Sequence, residues 1–273
     1  MSNSPNPTAS GWQWPRRRWS QFLGNVARSD NPVIRSALVR GFMRLYGVSL
    51  DDCLRRRVED YRSFNDFFTR RLQPDARPMD NDPDAIVSPC DGVVSAIGQI
   101  DQQRVLQAKG IDYSVRDLVV NPTLADSLSN GHYLTIYLSP RDYHRVHAPM
   151  PLSFRRIQRS GSARFAVNGR STASVDGLYV VNERAVFDFS SDALACAIVM
   201  VGAIGVGSIQ TVFDADSLDV PPDAVARGDE IGRFNLGSTV IMLVGAGTLS
   251  WRDDLAIGSA VKLGERIATP VRA

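Results

Sequence analysis

The fold is decided by a run without charged residues, ALACAIVMVGAIGVGSIQTVF, which spans residues 193–213. Its length is close to that of a membrane-spanning helix. Three glycines, Gly202, Gly205 and Gly207, interrupt the run, and β-branched residues stand among them. Two buried strands joined by a glycine turn explain this composition better than a spanning helix does. The GAIGVG segment also has the wrong glycine spacing for a dinucleotide-binding loop.

The segments on either side of this run also have the pattern of strands. HYLTIYLS (132–139) alternates and is rich in β-branched and aromatic residues, and STVIMLVG (238–245) is typical of a short buried strand. GLYVVNERAVFDFS (177–190) indicates a hairpin with Asn182 and Glu183 at its turn. Few helical patterns separate these segments. We therefore expect an α+β protein whose residues 81–273 form a β-rich catalytic body, a barrel or a sandwich.

Residues 1–80 have a different character, helical and basic. Residues 1–72 contain thirteen Arg and six Asp or Glu, although the whole chain has a net charge of only +2. WQWPRRRWSQFLGNVARSD (12–30) mixes tryptophan with arginine, Pro32 is expected to open a second helix, and Ser63 to cap a third. Rings and guanidinium groups together suit the surface of an anionic membrane, so we expect a membrane-contacting region. The alternative is a solvated helix packed on its own domain; nucleic acid is not expected, since no binding motif accompanies the charge.

The cysteines point to a reducing compartment. Cys53, Cys90 and Cys196 are an odd number and contain no C-x-x-C pair. This usage argues against a disulfide framework or a structural zinc site.

Three motifs at predicted strand edges carry the reactive side chains. Asp91 lies in SPCDGVV, His144 and His147 lie in YHRVHAP, and Ser238 lies in NLGSTVI. An acid, a base and a hydroxyl nucleophile are the parts of a charge-relay triad. Because His144 and His147 are three residues apart, they would point to opposite faces of a regular strand. For both to serve one site, the chain should turn around Arg145 and Val146.

The sequence around Ser238 favours self-cleavage over serine hydrolysis. The G-x-S-x-G elbow of many hydrolases is missing from NLGSTVI. An unbranched Gly237 permits the strained backbone in which Ser238 Oγ attacks the carbonyl of its own preceding peptide bond. The resulting ester can be lost by β-elimination to dehydroalanine, which hydrolyses to a pyruvoyl group. That group is an electron sink comparable to pyridoxal phosphate.

At these residues the chain resembles the bacterial phosphatidylserine decarboxylase proenzymes. The similarity runs from about residue 60 to residue 244 and comprises, in order, SFNDFFTRRLQPDARP, SPCDGVVSAIG, YHRVHAP, RFAVN, LYVVNER, VGAIGVGSI and NLGSTVI. LGST is the cleavage signature of this family.

The resemblance implies a role for each group. Asp91, His147 and Ser238 would form the charge relay for cleavage at Gly237–Ser238, giving a β chain (1–237) and an α chain (238–273). Ser238 would become the pyruvoyl cofactor and the Schiff-base carbonyl for the substrate amine, and His144 would donate the proton after CO2 leaves. Two further residues, Phe165 and Asn168, would border the lipid headgroup.

The implied activity is decarboxylation of phosphatidyl-L-serine to phosphatidylethanolamine in phospholipid biosynthesis. The protein would be peripheral, on the cytoplasmic side of the cell membrane, as an α/β heterodimer of one precursor, with a dimer of heterodimers left open. No metal and no nucleic acid are implied.

Three alternatives stay open at this stage. The first is a small zinc metallopeptidase with Asp91, His144 and His147 as ligands. The second is a non-enzymatic carrier barrel, suggested by the repeat V-x-x-G-[DE]-x-I at residues 225–231 and 261–267. The third keeps the chemistry and replaces the lipid by an archaeol-type phosphoserine.

Overall fold

The computed structural model describes residues 26–101, 103–108, 111–191, 194–203, 209–214, 223–235, 238–247 and 249–271. The tryptophan- and arginine-rich stretch at residues 12–23 lies outside these ranges. The helices of the described ranges are α1 (Pro32–Tyr46), α2 (Phe64–Phe68), α3 (Val115–Val119), α4 (Pro122–Ser127), α5 (Gly169–Thr172) and α6 (Leu178–Val181), with 3-10 turns at Val58–Asp60 and Pro74–Ala76.

The helix starts at Pro32 and Ser63 are as predicted. The side chain of Asn31 accepts hydrogen bonds from the first free N–H groups of α1, with Pro32 in the first turn, and Ser63 caps α2 by accepting from Asp66 N. Between Tyr46 and Ser63, however, the chain is helical only at the short 3-10 turn. The reason is that Gly47 ends α1 with a φ of 66°, a left-handed conformation that glycine adopts without steric cost.

A small aromatic core joins these two helices. Phe42 of α1 packs edge-on against Phe64, Phe67 and Phe68 of α2, with ring centroids 5.1–6.0 Å apart. Two other apolar residues of α1 are uncovered, since Val33 is 75% and Leu45 74% exposed.

Strands are the main secondary structure in the rest of the described chain. They are β1 (Ile86–Val87), β2 (Gly92–Gln99), β3 (Arg104–Ala108), β4 (Ile111–Ser114), β5 (His132–Leu138), β6 (Arg145–His147), β7 (Leu152–Ser160), β8 (Arg184–Ser190), β9 (Ala195–Gly202), β10 (Ile209–Thr211), β11 (Ala224–Val225), β12 (Glu230–Phe234), β13 (Ser238–Val244), β14 (Leu249–Trp251), β15 (Ala260–Val261) and β16 (Arg266–Pro270). The protein is therefore β-rich with few helices, as expected.

The strands form an eight-stranded antiparallel sheet and three smaller ones. The large sheet has the order β11-β7-β8-β9-β13-β5-β2-β15, and the smaller sheets have the orders β1-β16-β14, β10-β12-β6 and β3-β4. Every residue of β13 is paired on both sides, with β5 and with β9. The predicted strands at 132–139 and 238–245 are thus confirmed, and the structure shows that they are neighbours in the large sheet.

Both faces of the large sheet are buried. Along β13, Val240, Met242 and Val244 belong to a core shared with the two three-stranded sheets. Ile241 and Leu243 belong to a second core, shared with α3, α4, α6 and the β3-β4 pair. A strand buried on both faces needs apolar residues at successive positions, which explains the uninterrupted runs in the sequence.

The long apolar run forms strands, as predicted. Its two halves are β9 and β10, which belong to different sheets, and the residues between them at 204–208 lie outside the described ranges. Across the described ranges, no helix combines the length and apolar character needed to cross a membrane.

The predicted hairpin at residues 177–190 is wrong in its first half. Leu178 to Val181 form α6, in which Leu178 and Tyr179 are buried in the second core. Asn182 follows as the last capping residue and its side chain binds two neighbouring segments, so it cannot serve as an exposed turn residue. Tertiary packing has overridden the local β propensity of LYVV.

The V-x-x-G-[DE]-x-I repeat corresponds to a repeated structure. Each copy ends one strand, turns at a glycine and begins another, β11 to β12 in the first copy and β15 to β16 in the second. Gly228 has a φ of 89° and Gly264 a φ of 86°, and an added Cβ at either would lie within 3.2 Å of the Met79 side chain. Both turns therefore pack against the same methionine.

Candidate active site

Ser238 is the first residue of β13, and its side chain is completely buried. Its hydroxyl has no hydrogen-bond partner among the described residues. A buried hydroxyl without a partner costs about 1–3 kcal/mol, so a fold that keeps one invites a functional explanation. Leu236 and the predicted cleavage residue Gly237 lie outside the described ranges.

Strand register brings the Asp91 segment to the same end of the sheet as Ser238. Tyr137 of β5 is opposite both Val93 of β2 and Thr239 of β13. Asp91 comes just before β2, as Ser238 begins β13, and one strand lies between them. With about 4.8 Å between neighbouring strands, the two backbones are separated by about 10 Å.

The carboxylate of Asp91 is held by an arginine that the sequence analysis did not single out. Arg77 Nε lies 3.0 Å from Oδ1 and Arg77 Nη2 lies 2.7 Å from Oδ2 of Asp91, while Leu263 N donates to Oδ1 at 2.9 Å. The Asp91 side chain is 9% exposed and that of Arg77 14%. The pair raises the pKa of the Arg77 guanidinium. Such a fork-shaped pairing fixes the orientation of the carboxylate.

His147 lies on β6, next to the Asp91 segment, since His147 N donates to Pro89 O at 2.8 Å. Its Nδ1 is 2.8 Å from the carbonyl oxygen of Gly228, so this nitrogen carries the proton, and its Nε2 is 3.2 Å from the hydroxyl of Tyr143. Burial is the main cause that lowers the pKa of His147. The ring is therefore neutral at neutral pH and carries its lone pair on Nε2, as a general base must.

His144 is completely buried just before β6, in different surroundings. Its Nδ1 lies 2.8 Å from the carbonyl oxygen of Asp142, its ring is 4.1 Å from that of Phe68, and its Nε2 has no partner among the described residues. Burial and the nearby Arg70 lower the pKa of His144 to about 3.

The chain does not turn at Arg145 and Val146, where a turn was expected. Arg145–His147 is an extended strand paired with β12. The chain turns earlier, at residues 140–142. The strand pairing with β12 holds these residues extended, so the two imidazoles have separate environments.

The two turns of the repeat each hold one member of the predicted relay. The first turn provides the Gly228 carbonyl that binds His147, and the second provides the Leu263 N–H that binds Asp91. A motif attributed at the sequence level to a carrier barrel thus positions two of the predicted catalytic side chains.

The SFNDFFTR segment clamps the residues around His144. Asn65 Nδ2 donates to Asn235 Oδ1 at 3.0 Å, three residues before Ser238. Arg145 donates twice to Thr69 O, and Arg70 Nη2 donates to the carbonyl oxygens of Arg141 and Asp142. Long-range contacts of this kind leave no periodic signal in the sequence.

Phe165 is linked to the Ser238 strand through one buried amide. Asn182 Oδ1 accepts from Phe165 N, and Asn182 Nδ2 donates to the carbonyl oxygens of Phe165 and Gly202, the latter paired with Ser238. Asn168, by contrast, accepts from Ser171 N as the cap of α5.

The three ligands of the zinc alternative are not grouped. Asp91 is bound by Arg77, while His144 and His147 each bind a backbone carbonyl. In the part of the chain that the structure describes, no cluster of three His, Cys, Asp or Glu side chains is arranged to hold a metal.

Comparison with known proteins identifies the family. The family profile described as Phosphatidylserine decarboxylase matches residues 64–269. The chain belongs to the phosphatidylserine decarboxylase family. It is 40% identical over 264 residues to the phosphatidylserine decarboxylase proenzyme of Halorhodospira halophila, covering 93% of this chain and 90% of that protein. The proenzymes of Azotobacter vinelandii (39% identity; 93% and 94% covered) and Bordetella pertussis (40%; 96% and 93%) are similar over as much of their length.

These matches confirm the resemblance and the predicted enzyme class. Phosphatidylserine decarboxylase proenzymes are self-processing lyases that carry a pyruvoyl group derived from serine. Ser238 fits that group, since it offers a fully buried hydroxyl with no partner among the described residues.

Proposed function

We propose that this chain is a proenzyme that cleaves itself between Gly237 and Ser238 and then decarboxylates phosphatidylserine to phosphatidylethanolamine and CO2, in phospholipid biosynthesis. The observation that carries the proposal is the buried hydroxyl of Ser238, which has no partner among the described residues, in a chain of this family. Cleavage would leave a β chain of residues 1–237 and an α chain of residues 238–273.

In the cleavage step, Ser238 Oγ is the nucleophile and the carbonyl of Gly237 is its target. His147 accepts the serine proton at Nε2, the nitrogen that faces Tyr143. The Gly228 carbonyl keeps the other nitrogen protonated, and Asp91, anchored by Arg77, stabilises the imidazolium electrostatically. In this arrangement Asp91 acts on His147 through space, because the protonated Nδ1 of His147 is bound to the Gly228 carbonyl.

After cleavage, the pyruvoyl group supplies an electrophilic carbonyl and an electron sink. The chain's own residues orient the substrate and move protons. His144 returns a proton to the carbon that has lost CO2. Phe165, which is linked to the Ser238 strand through Asn182, contributes to headgroup binding, and so does Asn168, the cap of α5.

The region of residues 1–80 brings the body, residues 81–273, to the lipid. Exposed Val33 and Leu45 on α1 supply apolar contact, and Arg40 and Arg44 of the same helix supply positive charge. The packing of small sheets on a large one supports the sandwich alternative for the body. We place the protein at the cytoplasmic side of the cell membrane as an α/β heterodimer.

The test compares Ser238→Ala with Ser250→Ala, a serine that is exposed on β14. Purified proteins are separated on denaturing gels and assayed for CO2 release from carboxyl-labelled phosphatidylserine in mixed micelles. Ser238→Ala should give one uncut, inactive chain, and Ser250→Ala two chains with normal activity. Efficient cutting of Ser238→Ala would refute the assignment of Ser238.

The roles of the histidines separate in the same assay. His147→Ala should stay uncut, whereas His144→Ala should be cut and release little CO2. A His144→Ala enzyme with normal turnover would refute the donor role.

A further inference from the structure

Arg70 is a buried cation without a carboxylate partner in the described part of the chain. The residue is 5% exposed, and its Nε and Nη1 have no hydrogen-bond partner among the described residues. Its Nη2 donates to Arg141 O at 2.7 Å and to Asp142 O at 3.2 Å, and its guanidinium lies 5.5 Å from the centre of the Phe67 ring. A buried guanidinium that lacks a carboxylate partner is costly, so a reason for its retention is needed.

The acceptor that Arg70 uses is shared with His144. The carbonyl oxygen of Asp142 accepts one hydrogen bond from Arg70 Nη2, at 3.2 Å, and one from His144 Nδ1, at 2.8 Å. A carbonyl oxygen has two lone pairs and can accept both bonds. Because a carbonyl accepts only, the proton of a neutral His144 lies on Nδ1. Its Nε2 then carries a lone pair and has no hydrogen-bond partner in the described part of the chain.

We propose that Arg70 is a positioning residue that holds His144 in the neutral form with its proton on Nδ1. It does so in two ways. It fixes the Asp142 carbonyl, and its positive charge opposes a second proton on the imidazole. This inference rests on the role proposed above for His144 in decarboxylation.

Other charged groups near His144 are already engaged. The Asp142 carboxylate accepts from Ser139 N and Oγ at 2.7 Å, and Arg145 is paired with Glu230 at 2.6 Å. From the α2 side, Arg70 is the charge that lowers the pKa of His144 in addition to burial. Phe68 contributes only its ring.

The consequence concerns the direction of proton movement. A bare Nε2 cannot donate, so His144 must first accept a proton before it can protonate carbon. The proton that decarboxylation consumes comes from solvent: an O–H bond of hydronium breaks as Nε2–H forms, and later Nε2–H breaks and C–H forms, which returns His144 to its starting state. Because the Arg70 charge disfavours the imidazolium, that form is a strong acid toward carbon once it exists.

The test uses full-length Ser238→Ala protein, so that its readout is independent of turnover. The chain has three histidines, His132, His144 and His147, which makes ring 15N spectra readily assignable with His144→Gln as a reference. Arg70→Gln is compared with Arg71→Gln, because Arg71 is the next residue in the chain and its own side chain is exposed. Arg70→Lys keeps the positive charge and loses the planar guanidinium with its several N–H donors.

We expect Arg70→Gln to raise the pKa of His144 by about one unit or more and to mix its two neutral tautomers. Arg71→Gln should match the parent, and Arg70→Lys should keep the pKa low. If Arg70→Gln is unfolded by circular dichroism, Arg70→Lys decides by its tautomer ratio, which should shift toward a mixture. A His144 ring unchanged in every folded Arg70 variant would overturn the proposal.

Failure of the proposed function is recognised separately. A wild-type chain that is never cut or never releases CO2 from phosphatidylserine would refute that function, while the His144 spectra would still test Arg70. Conversely, normal decarboxylation with an unresponsive His144 ring would refute only the role of Arg70.

Discussion

Replacing Arg77 by methionine should destabilise the protein by about 2–3 kcal/mol. The substitution removes three hydrogen-bonding contacts from the Asp91 carboxylate and leaves it the Leu263 N–H alone. Removing one partner of a fully buried ion pair costs about 3–5 kcal/mol. The two side chains are 14% and 9% exposed, and one N–H donor remains, so the expected cost falls to about 2–3 kcal/mol.

The assay is guanidinium chloride unfolding in the Ser238→Ala background, in which the chain should stay in one piece. The matched control is Asp52→Asn, which removes the other ion pair of Arg77. That pair is 3.1 Å long, but Asp52 is 61% exposed, so its loss should cost less than about 1 kcal/mol. If Arg77→Met cost no more than Asp52→Asn, the Arg77–Asp91 pair would not be the anchor described here.

Two further predictions follow from burial at the site and exposure on α1. Burial lowers the pKa of His147 below its ordinary 6.5, so the base form persists as the pH falls through 6.5. The self-cleavage rate should therefore decline only at more acid pH, and a rate that halves at or above pH 6.5 would contradict this. Leu45→Glu should weaken binding to anionic vesicles about tenfold or more, because the burial of one leucine in the membrane is lost. The control Ile257→Glu changes a residue of the body that is 63% exposed and should leave binding unchanged; equal losses in a sedimentation assay would exclude α1 as the contact.

Sequence patterns were sufficient to predict two kinds of element: those in which buried and exposed residues alternate, and those in which buried residues form a continuous run. The apolar segments of β5, β9 and β13 identified the central strands, and Pro32 and Ser63 identified two helix starts. The segment LYVV misled, because its β-type residues are packed as a short helix against the second core. Local propensity is the weaker influence in such a case.

The reactive residues of the site could be named from their motifs, whereas the groups that hold them could not. Asp91, His147 and Ser238 stand in short distinctive motifs. Arg77, Arg70 and the Gly228 carbonyl act through contacts between residues 14, 72 and 81 positions apart in the chain. Such pairings depend on how sheets pack, which one sequence read alone does not report. Two signals were available: the family motif SFNDFFTRRLQPDARP contains Arg70 and Arg77, and the two turns of the glycine repeat hold Asp91 and His147.

The measurement that tests the central claim most directly is the intact mass of the purified wild-type chain under denaturing conditions. Self-cleavage predicts two polypeptides, residues 1–237 and 238–273, the shorter one with a pyruvoyl group in place of its amino-terminal serine and therefore resistant to Edman degradation. A single polypeptide of 30.0 kDa, still intact after prolonged incubation at neutral pH, would contradict the account.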